Sequence, residues 1–464
     1  VALPPETAAA LERLARFGVR LGLDRMRRLM AALGDPQEGL PAVLVAGTNG
    51  KGTVSALLAS FGATAHYKTG LYTSPHLEDV EERLRLDGVA IDGVRLAALL
   101  DRVLAAGEEA LEEPPTYFEA LTAAALVWFA EEAVELAVLE VGLGGRFDAT
   151  NVVEPRLSVI TSVDLDHREH LGDTLAQVSR EKAGIMRSGV PVVTVGAPPE
   201  VAAALAGEAA RIGALRRVVP ERLVVEAVQR FRPFSDPTEP RQRVWLRDPR
   251  DLPDPSGGGG EVEVYELGLS GRHQADNLAI AVAAAEELRE LGWERLTVRA
   301  TKKGGRACRW PGRLEEVRVP DRPALPGGAR VLLDVAHNPG GSTSLAVALD
   351  DLGEPVDLVF GVLDDKDAAA MLALLAPKAR RLTLTRPSGP RGRVAAELEP
   401  LVPRAAGAEV RVVEDPAAAV EEALRRSEGR IVGVCGSLAL VGEVRAALRR
   451  RYGVPEPALE IRTG

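Results

Sequence analysis

"VAGTNGKGTVSALL", residues 45–58, joins an apolar run to a glycine-rich turn and then to a helical pattern. The run "PAVLVAG" (41–47) predicts a buried strand, and "GTVSALLASFGA" (52–63) predicts the helix that follows it. Glycines at 47, 50 and 52 let backbone N–H groups approach an anion closely. The helix N-terminus adds its positive end, so the turn suits a phosphate. Lys51 is placed to neutralise phosphate oxygens, and the Thr53 hydroxyl can serve phosphate or Mg2+. The spacing is shorter than in G-x-x-x-x-G-K-S/T, and Gly52 separates Lys51 from Thr53. An ordinary glycine-rich strand–helix turn is therefore the competing reading.

Outward from this turn, strand and helix patterns alternate. "DRMRRLMAALG" (24–34) carries Met26, Leu29, Met30 and Leu33 on one helical face. Downstream, "EALTAAALVWFAEEA" (119–133) reads as helix, "VELAVLEVG" (134–142) and "PRLSVITSV" (155–163) as strands. "TLAQVSREKAGIMRSG" (174–189) reads as helix and "VPVVTVG" (190–196) as strand. Such alternation predicts a mostly parallel sheet with helices on both faces. The stretch 228–262, rich in Pro, Asp and Gly, reads as irregular loops with edge strands and a flexible tip at Gly257–Gly260. A helix follows at "NLAIAVAAAEELRELG" (277–292). A second alternating block then includes "ARVLLDVAHNP" (329–339), a helix near 342–351, "VDLVFGVL" (356–363) and "GRIVGVCGS" (429–437). At 464 residues two domains are expected, and the boundary is drawn at 1–308 and 309–464. The expected class is α/β: a phosphate-loop domain on a mostly parallel sheet, plus a smaller Rossmann-like α/β domain.

A net charge of −10 argues against a nucleic-acid surface, although it leaves room for a local basic pocket. The two cysteines, Cys308 and Cys435, fit no metal spacing and suit a reducing, cytoplasmic setting. The N-terminal stretch lacks the pattern of a signal peptide, and runs such as 120–130 are short of a membrane span. A monomer acting on small molecules is expected.

Polar residues recur where strands run out. Glu140 ends "LAVLE", and Asp164, Asp166, His167 and His170 follow "VITSV". In an open parallel sheet, ligands bind outside the carboxyl ends of the strands. Glu140 and His167 are thus candidates to hold a divalent ion against the phosphates of 47–53. Taken singly, Glu140 also reads as a cap partner and His167 as a loop histidine. "LLDVAHNPGG" places Asp334, His337 and Asn338 at another strand end, where a capped turn is the plainer reading. Arg313, in "RWPGRLEE", lies near the inferred boundary and could reach a nucleotide phosphate or simply face solvent.

Together, "GTNGKGT", "GLYTSPHL", "TYFEALTAAA", "LEVGLGGRFDATN", "DLDHREHLGDTL", "EKAGIM", "GRHQADN", "WPGRLE", "DVAHNP", "GVLDDKD" and "CGSLALVGEV" resemble the folylpolyglutamate synthase/dihydrofolate synthase family of the Mur-ligase superfamily. They follow the family's order over residues 20 to 445. Thr53 stands where the family usually has serine.

The resemblance implies an ATP-dependent ligase that phosphorylates a carboxylate and lets the amine of L-glutamate displace the phosphate. It implies triphosphate binding by Asn49, Gly50, Lys51, Gly52 and Thr53, with further ATP contacts at Asn277, Arg313, Asp334 and, more weakly, His337. Two Mg2+ sites are implied: one at Thr53, Ser74 and Glu140, the other at His167 and a carbamylated Lys182. Lys51, His167 and Lys182 take the catalytic roles. The resemblance assigns the pterin end of the substrate to Asp24, Arg25, Thr116, Tyr117, Phe118, Glu119, Phe147, Asp148 and Ala149, and gives His337 and Ser437 more weakly to the nucleotide or the incoming glutamate. Phe118 and Phe147 could stack on a flat ring or serve the core. Two other readings stay open: a related ligase adding an amino acid to a cell-wall precursor, and a nucleotide-binding switch that ligates nothing.

Overall fold

The strand Ala42–Ala46 (β1) has all five residues buried, and its side chains alternate between two separate apolar layers. Leu44 faces one layer, while Val43 and Val45 face the other, as the two-residue period of a strand requires. The computed structural model describes residues 2–16, 18, 20, 22–231, 234, 239–250, 262–321, 325 and 327–454. The remaining strands of the larger sheet are Thr69–Tyr72 (β2), Leu84–Leu86 (β3), Val89–Ala90 (β4), Leu136–Glu140 (β5), Pro155–Ile160 (β6), Pro191–Thr194 (β7) and Leu215–Val218 (β8). Their order is β4-β3-β2-β5-β1-β6-β7-β8, parallel from β2 to β8, with antiparallel β2–β3 and β3–β4 pairings at one edge.

Register decides where the site falls. Val45 pairs with Glu140 of β5, and Ala46 pairs with Ile160 of β6. Three neighbouring strands thus end at one level, and the loops after them converge. The helix Lys51–Thr64 is buried from Gly52 to Thr64, packed between the sheet and the helices His273–Glu290 and Val298–Ala307. Burial on every side makes this a core helix, and its Ser60 and Thr64 hydroxyls donate to backbone carbonyls. On the opposite face, Tyr117–Glu131 packs against Gly93–Ala110 and Asp24–Ala32.

Between the two α/β blocks, Val224–Arg230 (β9), Gln242–Arg247 (β10) and Val262–Leu267 (β11) form an antiparallel sheet. The edge strands expected around 228–262 are thus present as the outer strands β9 and β11, and β10 is paired on both sides between them. The alternating burial of "QRVWLR" is a strand signal that the surrounding prolines and aspartates obscured. Gly257–Gly260 lies outside the described residues.

The second sheet comprises Glu315–Val319 (β12), Ala329–Asp334 (β13), Val356–Phe360 (β14), Ala379–Leu384 (β15), Glu409–Val412 (β16) and Ile431–Cys435 (β17). Its order is β12-β13-β17-β14-β15-β16, with β12 antiparallel. The edge strands β12 and β16 went unread because "EEVRV" and "EVRV" are short and charged. The helix expected near 342–351 is Pro339–Asp350, because the Asn338 side chain caps it by accepting the Gly341 N–H at 2.8 Å. In this sheet Asp334 pairs with Cys435, and Phe360 pairs with the same residue, so the polar turns after β13, β14 and β17 also emerge together.

Candidate active site

The turn 47–50 is held from both sides. Gly47 has φ 147° and Gly50 has φ 88°, in the region that favours glycine. A Cβ at 47 would lie 1.8 Å from Thr161 Oγ1, and one at 50 would lie 2.5 Å from Asn277 Oδ1. Thr48 N–H donates to the Ser162 carbonyl at 2.6 Å, Asn49 N–H donates to Ser162 Oγ at 3.1 Å, and Thr161 Oγ1 donates to the Asn49 carbonyl at 2.8 Å. No side chain caps the helix that follows, whose first intrahelical bond runs from Val54 N–H to the Gly50 carbonyl at 2.9 Å. Its preceding N–H groups are the donors a phosphate would use.

Two lysines fold back onto this turn. Lys51 Nζ donates to the carbonyls of Gly47 (3.0 Å) and Thr48 (3.1 Å), and Lys182 Nζ donates to Gly47 (2.9 Å). Lys182 is buried, and burial is the main reason its pKa falls to about 7; the Lys51 charge adds to the fall and Asp166 opposes it. Burial also lowers the Lys51 pKa, against the pull of Glu140 and Asp166. Glu140 is buried at the end of β5, and one of its oxygens accepts the Ser74 N–H at 3.1 Å. Desolvation raises its pKa, while Lys51 and Arg313 hold it down. His167 stands at the rim with φ 50°, and its ring is 3.9 Å from Asp166; desolvation lowers its pKa, opposed by Asp166 and reinforced by Lys366, Lys51 and Lys182.

The second sheet faces this turn. Asn338 Nδ2 donates to Asn49 Oδ1 at 3.1 Å, and Lys366 Nζ is 3.6 Å from Asp166. Asp334 is buried and accepts the N–H groups of Leu314 and Ala336, both at 2.9 Å. Burial raises its pKa, and Arg313 opposes the rise; burial in turn lowers the Arg313 pKa, opposed by Asp334 and Glu140. His337 is neutral at pH 7, its pKa pushed down to about 4 mainly by burial. Its Nδ1 meets the Val335 carbonyl at 2.9 Å, which leaves Nε2 for another partner. Ser437 caps the helix Leu438–Tyr452 by accepting the Leu440 N–H at 3.1 Å.

These groups line one cleft of about 1310 Å³ between the two sheets. It brings together Asn49 to Thr53, Ser74, Glu140, His167, Lys182, Asn277, Arg313, Asp334, His337 and Ser437. The residues assigned to the pterin end are not in this lining. Arg25 Nε donates to Glu119 Oε1 at 3.3 Å, and Glu119 forms a capping box with Thr116. Tyr117 lies under Arg83, with the guanidinium 5.1 Å from the ring centre. Phe118 packs on Tyr72, with ring centres 6.0 Å apart. Asp148 accepts N–H groups of Leu143 and Thr150, and Ala149 is buried. Asp24 is exposed, and Phe147 is 43% exposed. Sequence reasoning gave no role to Lys366 or His273, which also line the cleft. Lys366 sits in "GVLDDKD", directly after β14, where the strand-end rule could have found it.

Among the described residues no group of three or more His, Cys, Asp or Glu is placed to hold a metal. The donors Thr53, Ser74 and Glu140 are hard oxygens with one carboxylate. That set suits Mg2+, which keeps waters and takes phosphate oxygens. The Lys182 side chain is no ligand as an ammonium and a poor one for hard Mg2+ as a neutral amine, so an oxygen-bearing modification would make it a better partner for His167. No described helix is long and apolar enough to cross a membrane.

An uncapped glycine-rich turn with a buried carboxylate beside it faces the polar strand ends of a second α/β sheet, the layout of the Mur-type ATP-dependent ligases that this chain resembles. Consistent with this class, the sequence model described as "Mur ligase, glutamate ligase domain" matches residues 312–438. The dihydrofolate synthase/folylpolyglutamate synthase of Bacillus subtilis is 33% identical over 444 residues, covering 94% of this chain and 96% of the relative. The structure of Escherichia coli FolC in complex with DHPP and ADP superposes with a TM-score of 0.79 at 31% identity, covering 96% of this chain and 98% of that one. A bifunctional folylpolyglutamate synthase/dihydrofolate synthase with Mn, AMPPNP and L-glutamate bound gives 0.78 at 29% identity, with the same coverages of 96% and 98%. The chain belongs to the folylpolyglutamate synthase/dihydrofolate synthase family. The cell-wall ligase alternative is not favoured.

Proposed function

We propose that this protein joins L-glutamate to a folate-type carboxylate, making dihydrofolate from dihydropteroate, extending folylpolyglutamates, or both. The carrying observation is the meeting of Asn49 and Asn338 at 3.1 Å, which puts the phosphate turn and the Asp334–Asn338 turn on opposite walls of one cleft. The acceptor carboxylate oxygen bonds to the γ-phosphorus as the bond to ADP breaks. The glutamate amine then bonds to the acyl carbon, phosphate leaves with the former C–O electron pair, and the amine loses a proton.

Lys51 and the N–H groups of the helix start neutralise the triphosphate. Thr53, Ser74 and Glu140 hold one Mg2+, and His167 with Lys182 holds a second; bound Mg2+ offsets phosphate charge. Lys182 qualifies once its neutral amine adds CO2 and loses a proton, becoming an anionic carbamate. Arg313, Asp334 and Asn277 meet the nucleotide, His337 and Ser437 the nucleotide or the glutamate. The Asp24–Arg25, Thr116–Glu119 and Phe147–Ala149 segments receive the pterin. The units are 1–308 and 309–464, and the protein works as a cytoplasmic monomer, in keeping with its two free, buried cysteines.

The deciding experiment offers dihydropteroate, dihydrofolate and reduced folates, each with ATP and glutamate, and reads product masses. Glutamate addition to at least one acceptor is expected. No adduct with any of them, alongside turnover of a UDP-linked acceptor, would overturn the proposal.

A further inference from the structure

The loop that carries Ser74 also docks on the second half of the molecule. Leu77 packs against the apolar cluster built from β13, β17 and the helix Leu438–Tyr452. Gly442 makes the notch for it: a Cβ there would lie 2.0 Å from the Leu77 carbonyl oxygen and 3.0 Å from its carbon. Both near atoms are backbone, so no rotamer change relieves the clash. The next residue, Glu78, is 8% exposed and paired with Arg445 and, at 2.9 Å, with Arg449. Gly442, Arg445 and Arg449 are spaced three and four apart, on one face of their helix. Arg445 Nε also donates to both oxygens of Glu315, at 2.9 and 3.1 Å.

On its own side the loop is equally constrained. The Glu82 carboxylate accepts the N–H groups of Leu77 (2.9 Å), Glu78 (2.9 Å) and Asp79 (3.0 Å), while Glu140 accepts that of Ser74 at 3.1 Å. A displacement at Leu77 and Glu78 is therefore passed along a short, tied segment to Ser74.

We propose that Glu78, Arg445 and Gly442 form a latch that sets the position of the Ser74 loop when the second half closes over the first. The proposal rests on the ligase reading above and adds a positioning role for Arg445, which lies behind Glu78 and Gly442 at the cleft wall and is not itself in the lining. A buried carboxylate is tolerable only while paired. When the halves separate, Glu78 returns to water and Leu77 loses its packing, so the loop keeps only its own-side ties to Glu82 and Glu140. Closure and the phosphate end of the site are thereby coupled.

The test compares Glu78→Gln, Arg445→Gln, the double variant and Gly442→Ala. Glutamate-dependent kcat, ADP affinity and an inter-label distance are measured in each. The labels sit on Val94→Cys and Val347→Cys, both exposed, while the native cysteines are buried. The expected result is a kcat loss of about tenfold in each single variant and no further loss in the double. ADP affinity should stay within about threefold of wild type, and the distance should lengthen. A merely structural interface would lower ADP affinity together with kcat and give additive losses. Wild-type kcat and an unchanged distance in Glu78→Gln and Gly442→Ala would overturn the latch. A lengthened distance in variants of a wild type that ligates no glutamate would support the latch and overturn the ligase reading.

Discussion

Lys51 and Lys182 donate to the same acceptor, the Gly47 carbonyl oxygen, at 3.0 and 2.9 Å, although they are 131 positions apart in the chain. Two ammonium groups on one oxygen repel each other, and that repulsion contributes to the lowered pKa of Lys182. A lysine whose pKa is lowered to about 7 exposes more of the neutral amine, the form whose lone pair attacks the carbon of CO2.

Lys182→Ala should lose most ligation yet keep ADP binding, because Lys51 and the helix start remain. Acetate is expected to restore part of the activity by standing in for the carbamate. Intact-protein mass under CO2 should show one added CO2 on wild type and none on the variant. Full activity in Lys182→Ala and in CO2-depleted wild type would remove the carbamate from the mechanism.

The same burial predicts a pH-dependent stability with a definite sign. The unfolded Lys182 amine titrates near the ordinary value of 10.5, the folded one near 7. Between these values the unfolded chain binds one more proton, so stability rises with pH across the window. Below about pH 7 the full cost of burying the charge is present. In CO2-free buffer, Lys182→Met should therefore melt higher than wild type at pH 6 to 7, roughly, with the gap closing toward the unfolded pKa. A gap independent of pH would contradict the assignment.

Lys51→Ala should fold normally and lose ligation by about 100-fold or more, the size of a lost charge contact in a phosphoryl-transfer site. Steady-state kinetics beside circular dichroism would check this. A folded variant with near-normal turnover would rule out the role.

Gly50→Ala places a Cβ 2.5 Å from Asn277 Oδ1 at a φ of 88°. The strain, about 1–3 kcal/mol, should appear as weaker ADP binding by calorimetry more than as a loss of fold, since the turn is at the surface of the cleft. Unchanged ADP affinity would mean that Asn277 and the turn adapt freely.

Sequence alone determined the alternation of strands and helices, the glycine-rich turn at 47–53, the polar strand ends at Glu140 and Asp334, and the polar loop after β6 that carries His167. These are local properties: a strand period, a glycine that must adopt positive φ, a polar residue where an apolar run stops. Edge strands were legible around 228–262, but their pairing into one antiparallel sheet was not, because pairing between separate segments leaves little trace in composition. Tertiary structure alone decided which strand ends share a cleft, since that depends on the order β5-β1-β6 and β13-β17-β14 and on their register. It also decided that Lys182 is buried against Gly47 rather than solvated on a helix, and that Thr116 and Glu119 cap a helix outside the cleft lining. Burial and proximity are sums over residues far apart in the chain, and those sums set the pKa values and partners that local spacing cannot carry.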